Sequence, residues 1–357
     1  MSMSFLSPRV RPPVITVGGP ESDITGHDGR AIQLAVDALG GPGVVRLAAG
    51  VFDILAPVRL RDGVTLTGAG PRTCLRKADG VLAHPLVDAD YGERVVTVAD
   101  PGQFRAGLGV QVGDAASANW ECSTSVVTDV TADQVWLRDR LVKDYRVEAG
   151  CWISSACSVV EVVAAHGVRV ENLRIDGNKA RNAFLNGCRG GGVYLFEAGQ
   201  CVIEGVEVVD FNGDGISWQI TEDIEVRGCV VAGCTNYGLH PGTGALRSRV
   251  AGCEVRGNGT DGIYVCWRVQ AGVFSGNVIR DNGRHGISLG HKDTDNDFED
   301  NLVTGNAGHG VYIRPETPAN GAHRNRFRNN RLENNGGQAV MVDGPADGLV
   351  LDNNRLG

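Results

Sequence analysis

Residues 283–290 read G-R-H-G-I-S-L-G, and residues 307–314, one step of 24 later, read A-G-H-G-V-Y-I-R. The shared unit is a glycine followed by alternating aliphatics. It returns at Gly192-Val193, Gly215-Ile216, Gly238-Leu239, Gly262-Ile263, Gly286-Ile287 and Gly310-Val311, in steps of 23, 23, 24, 24 and 24. A seventh unit, Ala339-Val340-Met341-Val342, follows after 29, so five residues are inserted between Pro315 and Arg328. A second beat keeps the period at Cys229-Val230-Val231, Cys253-Glu254-Val255, Asn277-Val278-Ile279, Asn301-Leu302-Val303 and Asn330-Arg331-Leu332. A third is Asn258, Asn282, Asn306 and Asn335.

Each unit therefore holds short β-type runs separated by Gly, Asn or Asp, with no room for a helix of about ten residues. A leucine-rich repeat has a comparable period but needs leucines these units lack. Short strands with a bend residue at every corner fit an all-β, single-stranded right-handed parallel β-helix. One coil buries little alone. Stacking at about 4.8 Å aligns like residues into columns. Asparagines in a column can then bond from coil to coil and satisfy backbone groups orphaned at the bends, while glycines supply positive φ.

An open coil exposes a sheet edge and calls for a lid. Residues 28–39, D-G-R-A-I-Q-L-A-V-D-A-L, place Ile32, Val36 and Leu39, with Ala31 and Ala35, at helical spacing, and Gly40-Gly41-Pro42-Gly43 stops the run. This is the expected N-terminal α-helical cap. Val44–Leu47, Val51–Leu55, Val58–Leu60 and Val64–Leu66 follow as strands of the opening coils. Residues 92–150 break the repeat. Runs at 95–98, 108–112, 125–130 and 134–137 predict a small antiparallel β insertion. The organisation expected is one continuous domain: cap and first coils over 1–91, the insertion over 92–150, and regular coils over 151–357.

Two stretches, D-G-R-A-I-Q-L-A-V-D-A-L-G-G-P-G-V-V-R-L-A-A-G-V-F (28–52) and G-V-T-L-T-G-A-G (63–70), resemble the opening segment of the pectate-lyase-like superfamily. Its members are β-helix proteins that act mainly on polysaccharides, through lyase, epimerase or hydrolase chemistry. Tyr237-Gly238-Leu239-His240-Pro241-Gly242-Thr243 is similar to the Y-G-aliphatic-D-P-H segment of mannuronan C5-epimerases, with His240 in place of the acid and Gly242 in place of the histidine. Thr260-Asp261-Gly262, His285–Gly290 and Gly310–Arg314 resemble polygalacturonase segments. There Tyr312 replaces that family's arginine, Arg314 its lysine, and Tyr237 an earlier aspartate.

The position before each anchor glycine holds Gly191, Asp214, Tyr237, Asp261, His285, His309 and Gln338. Two after it come Tyr194, Ser217, His240, Tyr264, Ser288, Tyr312 and Met341, an outward column if the intervening aliphatic points inward. Arg314 lies on the next outward position, with Trp267, His291, Lys292 and Glu316 just beyond. Five of the eight histidines (His240, His285, His291, His309 and His323) fall on or beside this face. Aromatic platforms between polar clamps suit sugar rings.

Two mechanisms fit these residues. In the first, a lyase or epimerase takes the C5 proton of a uronate. His240 and Tyr264, one coil apart, act as base and acid, Arg314 or Lys292 neutralises the carboxylate, and His285 paired with Asp261 orients. In the second, an inverting hydrolase uses two carboxylates, Asp214 with Asp261 or Asp261 with Glu316. A third reading, from another class, is a glycan-binding β-helix without catalysis. Asp214, Tyr237, Trp267, His291, Lys292, His309, Tyr312 and Glu316 are expected to bind substrate in the enzyme readings. The bland alternative for Asp214 and Asp261 is bend chemistry.

The chain has 357 residues, 42% apolar, with a net charge of −8, which disfavours nucleic acid and anionic membranes as partners. No apolar run is long enough to span a bilayer. Residues 1–13 lack a signal-peptide pattern, so the expected location is cytoplasmic, or secreted with the signal missing from this sequence. Ten cysteines without paired spacing read as buried thiols. Cys151/Cys157 and Cys229/Cys234 are weak metal spacings, and D-x-D-x-D at 293–297 is an incomplete calcium loop. No cofactor is expected, with lyase-type calcium left open. The expected partners are a poly- or oligosaccharide and a second copy of the chain covering the last coil.

Overall fold

A computed structural model describes residues 12–357. The signal-peptide reading of residues 1–13 thus lies almost wholly outside the described residues. Nine strands follow one another up a single parallel sheet: Val58–Leu60, Val160–Val163, Val193–Phe196, Ile216–Gln219, Leu239–Pro241, Ile263–Tyr264, Ile287–Leu289, Val311–Ile313 and Val340–Val342. Their spatial order is their chain order, one strand per coil, in register. Two further parallel stacks complete each coil. They are joined near the start of the molecule by two long strands, Val64–Lys77 and Arg169–Asp176, each of which pairs into both stacks.

Alternation decides what lies inside. Phe274, Phe298 and Phe327 are register partners, wholly buried, and stack at 4.6 and 4.5 Å between ring centres. The asparagine columns do what their spacing predicts. Asn258 Nδ2 donates to Asn282 Oδ1 (3.0 Å), Asn282 to Asn306 (2.8 Å) and Asn306 to Asn335 (2.9 Å). A parallel column runs Asn277, Asn301, Asn330, Asn354 at 2.9 Å per step. Each buried amide also donates to a carbonyl of the preceding coil, as Asn277 does to Val250.

The cysteines continue these columns. Cys253 N–H donates to Asn277 Oδ1, and its thiol donates to Val226 O as the asparagine amides do one coil later. Cys234 stands likewise below Asn258. Cys229 and Cys234 are thus core donors rather than a metal pair. Among the described residues no group of three or more His, Cys, Asp or Glu is arranged to hold a metal ion.

The glycines divide into two classes, a distinction the repeat alone does not reveal. Positive φ is carried by Gly228, Gly252 and Gly276, then by Asp300, Asn329 and Asn353 in the same column. The anchor glycines are needed for close approach instead. A Cβ on Gly262 would sit 2.8 Å from both Asn282 Nδ2 and Gly286 O.

The helix Gly29–Leu39 lids the first coil with Ala31, Ile32, Ala35 and Val36. Asp28 caps it by accepting from Ala31 N (2.8 Å), and Gly40 ends it in the left-handed conformation. The insertion is a six-stranded antiparallel sheet with its own core around Phe104, Val110, Val127 and Tyr145. It takes in Leu82–Ala83 and Trp152–Ser154 at its ends. The main sheet passes directly from Val58–Leu60 to Val160–Val163, so the insertion interrupts the chain without opening a gap in the solenoid.

Candidate active site

The outward column exists as expected: Arg59, Glu161, Tyr194, Ser217 and His240 are successive register partners, and Tyr264, Ser288, Tyr312 and Met341 form the run above them. Its centre is not an open face. His240 is only 2% exposed. Its Nδ1 donates to Asp214 Oδ2 at 2.6 Å, and its Nε2 is buried without a partner. Asp214, wholly buried, also accepts from Asn236 Nδ2 (2.7 Å) and Tyr237 N (3.3 Å).

Two tyrosines roof this pair. Tyr237 and Tyr264 stack face to face at 4.0 Å, with the imidazole edge-on to both, 5.3 and 5.4 Å away. Burial disfavours a charged His240. The Asp214 carboxylate and the Cys266 thiol outweigh it and raise the pKa to about 9. Tyr264 is pushed up to about 12 by burial, against the pull of Arg314, whose guanidinium lies 4.4 Å above its ring. Burial pushes Tyr237 up as well.

Arg314 is built in rather than loose. It donates to Ser288 Oγ (2.8 Å) and Val265 O (2.7 Å) and lies 3.3 Å from buried Asp293. Asp293 in turn caps Val269 N and Gly290 N. Asp295 and Asp297 pair with Arg324 and Arg326. The D-x-D-x-D run therefore serves arginines and backbone amides.

Asp261 is engaged by an arginine and a backbone amide. It is wholly buried, chelates Arg284 through Nε (2.8 Å) and Nη2 (2.6 Å), and accepts from His285 N. The expected pairing of the His285 ring with Asp261 is absent. His285 Nδ1 accepts from His309 N (3.0 Å), and His309 Nδ1 accepts from Gln338 N (2.9 Å). The column before the anchor glycines is thus a bend column, in which Asp214, Asp261, His285 and His309 each hold the next coil's backbone N–H. Asp214 belongs to it through Tyr237 N and holds His240 as well. An Nδ1 used as acceptor fixes the neutral Nε2–H form, and burial lowers the His285 pKa accordingly.

The remaining expected residues are in place around this centre. Tyr312 stacks on His285 at 4.4 Å and donates to Asp343 (2.9 Å). Trp267, 49% exposed, stacks on His291 at 4.5 Å, and His291 donates to Glu316 (3.2 Å). Glu316 is therefore engaged with His291. Lys292 is exposed on the adjoining turn. His323 is a bend residue: its Nε2 donates to Pro318 O and its Nδ1 accepts from Asp347 N.

Several contributors carry weaker sequence signals. Residues 182–190 form a strap over the lower side of the site. Gly187 O accepts from Ser217 Oγ (2.6 Å), and a side chain at Gly187 would collide with Asp214 and His240. The strap is tied to the insertion by Arg189 Nε donating to Trp120 O (2.7 Å) and Gln111 donating to Phe184 O. Gln219 fills the space above Gly242, where the epimerase-like segment would carry its histidine, and accepts from Thr243 N (2.8 Å). Arg284 was signalled only by sitting beside His285.

A stacked parallel solenoid with one aromatic and cationic flank defines a right-handed parallel β-helix protein. Residues 158–318 match the family model described as "Right handed beta helix region". The A-module of the Azotobacter vinelandii mannuronan C-5 epimerase AlgE6 is 18% identical, over 91% of this chain and 71% of that one, with a TM-score of 0.62. An alginate lyase from Paenibacillus sp. str. FPU-7 is 11% identical over 96% and 99%, at 0.51. The Dettilon tailspike protein is 15% identical over 89% and 50%, at 0.53. No curated protein matches in sequence. The fold implied by the resemblance to the pectate-lyase-like superfamily is thereby borne out, cap helix and insertion included. No helix among the described residues is long and apolar enough to cross a membrane.

Proposed function

We propose that the protein acts on a uronate-containing poly- or oligosaccharide and removes the C5 proton, as a lyase or epimerase. The observation that carries this is the buried Asp214–His240 pair, with its second ring nitrogen unpartnered beneath two stacked tyrosines. A C5 proton becomes removable when a cation neutralises the adjoining carboxylate, and Arg314 and Arg284 flank the tyrosines. Because His240 is roofed over, it does not touch the sugar. Once substrate seats, a tyrosine oxygen takes the C5 proton and closes on His240 Nε2, which no group holds in the unliganded protein, to pass its own proton there, and Asp214 stabilises the imidazolium that forms. The other phenol, protonated at neutral pH, serves as acid. The Trp267–His291 platform suits a neighbouring sugar face. The named activities of the epimerase and lyase that share the fold are in keeping with this chemistry.

Two-carboxylate hydrolysis is disfavoured, because Asp261 is occupied by Arg284 and Asp214 by His240. The test is C5 exchange in heavy water, followed by NMR on a panel of polyuronates, alongside the ultraviolet absorbance of an unsaturated uronate and reducing ends. C5 exchange that falls at least about 100-fold in Tyr264→Phe supports the proposal. Reducing ends without exchange would replace it with hydrolysis, and binding with neither signal with a glycan-binding role.

A further inference from the structure

A second cleft, of about 630 Å³, opens at the start of the same sheet. It lies between the cap helix, the strand Val58–Leu60 and the insertion, and its charged lining is Arg30, Arg59, Arg61, Arg105 and Arg138 with Asp28, Asp37 and Asp53. Three of these have carboxylate partners: Arg59 with Glu161 (3.1 Å), Arg61 with Asp37 (2.5 Å) and Arg138 with Asp139 (2.8 Å). Arg30 and Arg105 are exposed and pair with no carboxylate among the described residues. Three guanidiniums are thus committed to internal ion pairs, and the two unpaired ones, from the cap helix and from the insertion, face the same hollow. Guanidinium forks match carboxylates in a bidentate way.

The cleft shares its flank with the site. Arg59 is the first member of the outward column, and His240 stands four coils above it. At about 4.8 Å per coil the separation is about 19 Å. The strap lies between them and carries Arg189. We infer that this arginine cleft is a remote binding site for the carboxylates of an acidic polysaccharide, holding a distant stretch of the same polymer whose nearer sugars occupy the tyrosine site. The inference rests on the uronate reading of that site. It adds that chain length matters: a short oligouronate engages one site, and a polymer engages both, with the gain of a tethered second contact.

The experiment uses the full chain, with polygalacturonate and alginate as polymers, their short oligomers, and a neutral polysaccharide as control. Binding is read by affinity electrophoresis and calorimetry at low and moderate salt. The double variant Arg30→Gln/Arg105→Gln removes the two unpaired cations, both exposed, and an unchanged melting temperature establishes that it folds. The expected result is a loss of polymer affinity of at least about fivefold, with a shallower salt dependence and unchanged affinity for short oligomers. Equal polymer affinity in wild type and double variant overturns the inference, as does an equal loss for short oligomers or the neutral control. A double variant with weakened polymer binding in a protein that never exchanges C5 sinks the catalytic reading and keeps the cleft. C5 exchange with polymer binding indifferent to Arg30 and Arg105 does the reverse.

Discussion

If the Asp214–His240 pair is an imidazolium–carboxylate in the folded protein, stability must fall as the solution turns alkaline. The folded pKa of His240 is raised from 6.5 to about 9, because Asp214 at 2.6 Å and the Cys266 thiol together outweigh burial. Folded protein then holds this proton more tightly than unfolded chain does. The stabilisation is complete below the unfolded value and is lost as pH rises through the folded one. The shift corresponds to on the order of 3 kcal/mol disappearing between about pH 6.5 and 9. The assay is urea denaturation across that range for wild type and His240→Gln, with the imidazole resonances followed by NMR. Wild type should lose midpoint steadily with a ring titrating near 9, and His240→Gln should lack that component. Asp214→Asn should drop the His240 titration below its ordinary value, since burial is then opposed by no charge. A His240 ring that titrates at or below 6.5 in wild type, or parallel stability profiles for wild type and His240→Gln, would refute the electrostatic account of the site.

Catalysis should show the opposite pH trend, because the proton relay needs neutral His240: C5 exchange should rise up to about tenfold per unit from neutrality towards pH 9, checked by initial rates in a buffer series. Asn282→Ala removes an acceptor for Asn258 N and Nδ2 and a donor to Val255 O and Asn306, and should cost about 2–4 kcal/mol by chemical denaturation. Asn354→Ala, at the half-buried end of its column, should cost about 1 kcal/mol in the same assay. Asp261→Asn should lower the melting temperature by loosening Arg284 and His285, with a rate loss far smaller than that of Tyr264→Phe. Gly187→Ala should lower the melting temperature and lose activity, because its methyl group collides with the buried Asp214–His240 pair and displaces the strap.

The shaft was legible because its determinants repeat. A period of 24 placed the asparagines in two columns, and the structure keeps both, with Phe274, Phe298 and Phe327 stacked in a third that was not singled out in the sequence. The site was legible by position but not by role. His240 and Tyr264 were placed in the outward column correctly, yet alternation cannot say that two tyrosine rings close over the imidazole. At the bends the direction of a side chain is set by local φ and ψ rather than by alternation. Spacing therefore did not reveal that His285, His309 and Asp261 each hold a backbone amide of the next coil. Long-range partners escaped for a different reason. The strap reaches the site from outside the repeat, and the fork between Arg284 and Asp261 spans two coils at positions no periodic pattern distinguishes.

The five extra residues between Ile313 and Arg326 leave the ladder untouched: Asn301 meets Asn330 at 2.9 Å across 29 residues, as Asn277 meets Asn301 across 24. All the added length is shed into one corner, beside Glu316 and its hold on His291. That corner behaves as a socket. Segments of other lengths can be spliced there to reshape the rim around Trp267 while the column beneath keeps its pitch, so selectivity for a ligand can diversify without renegotiating the core.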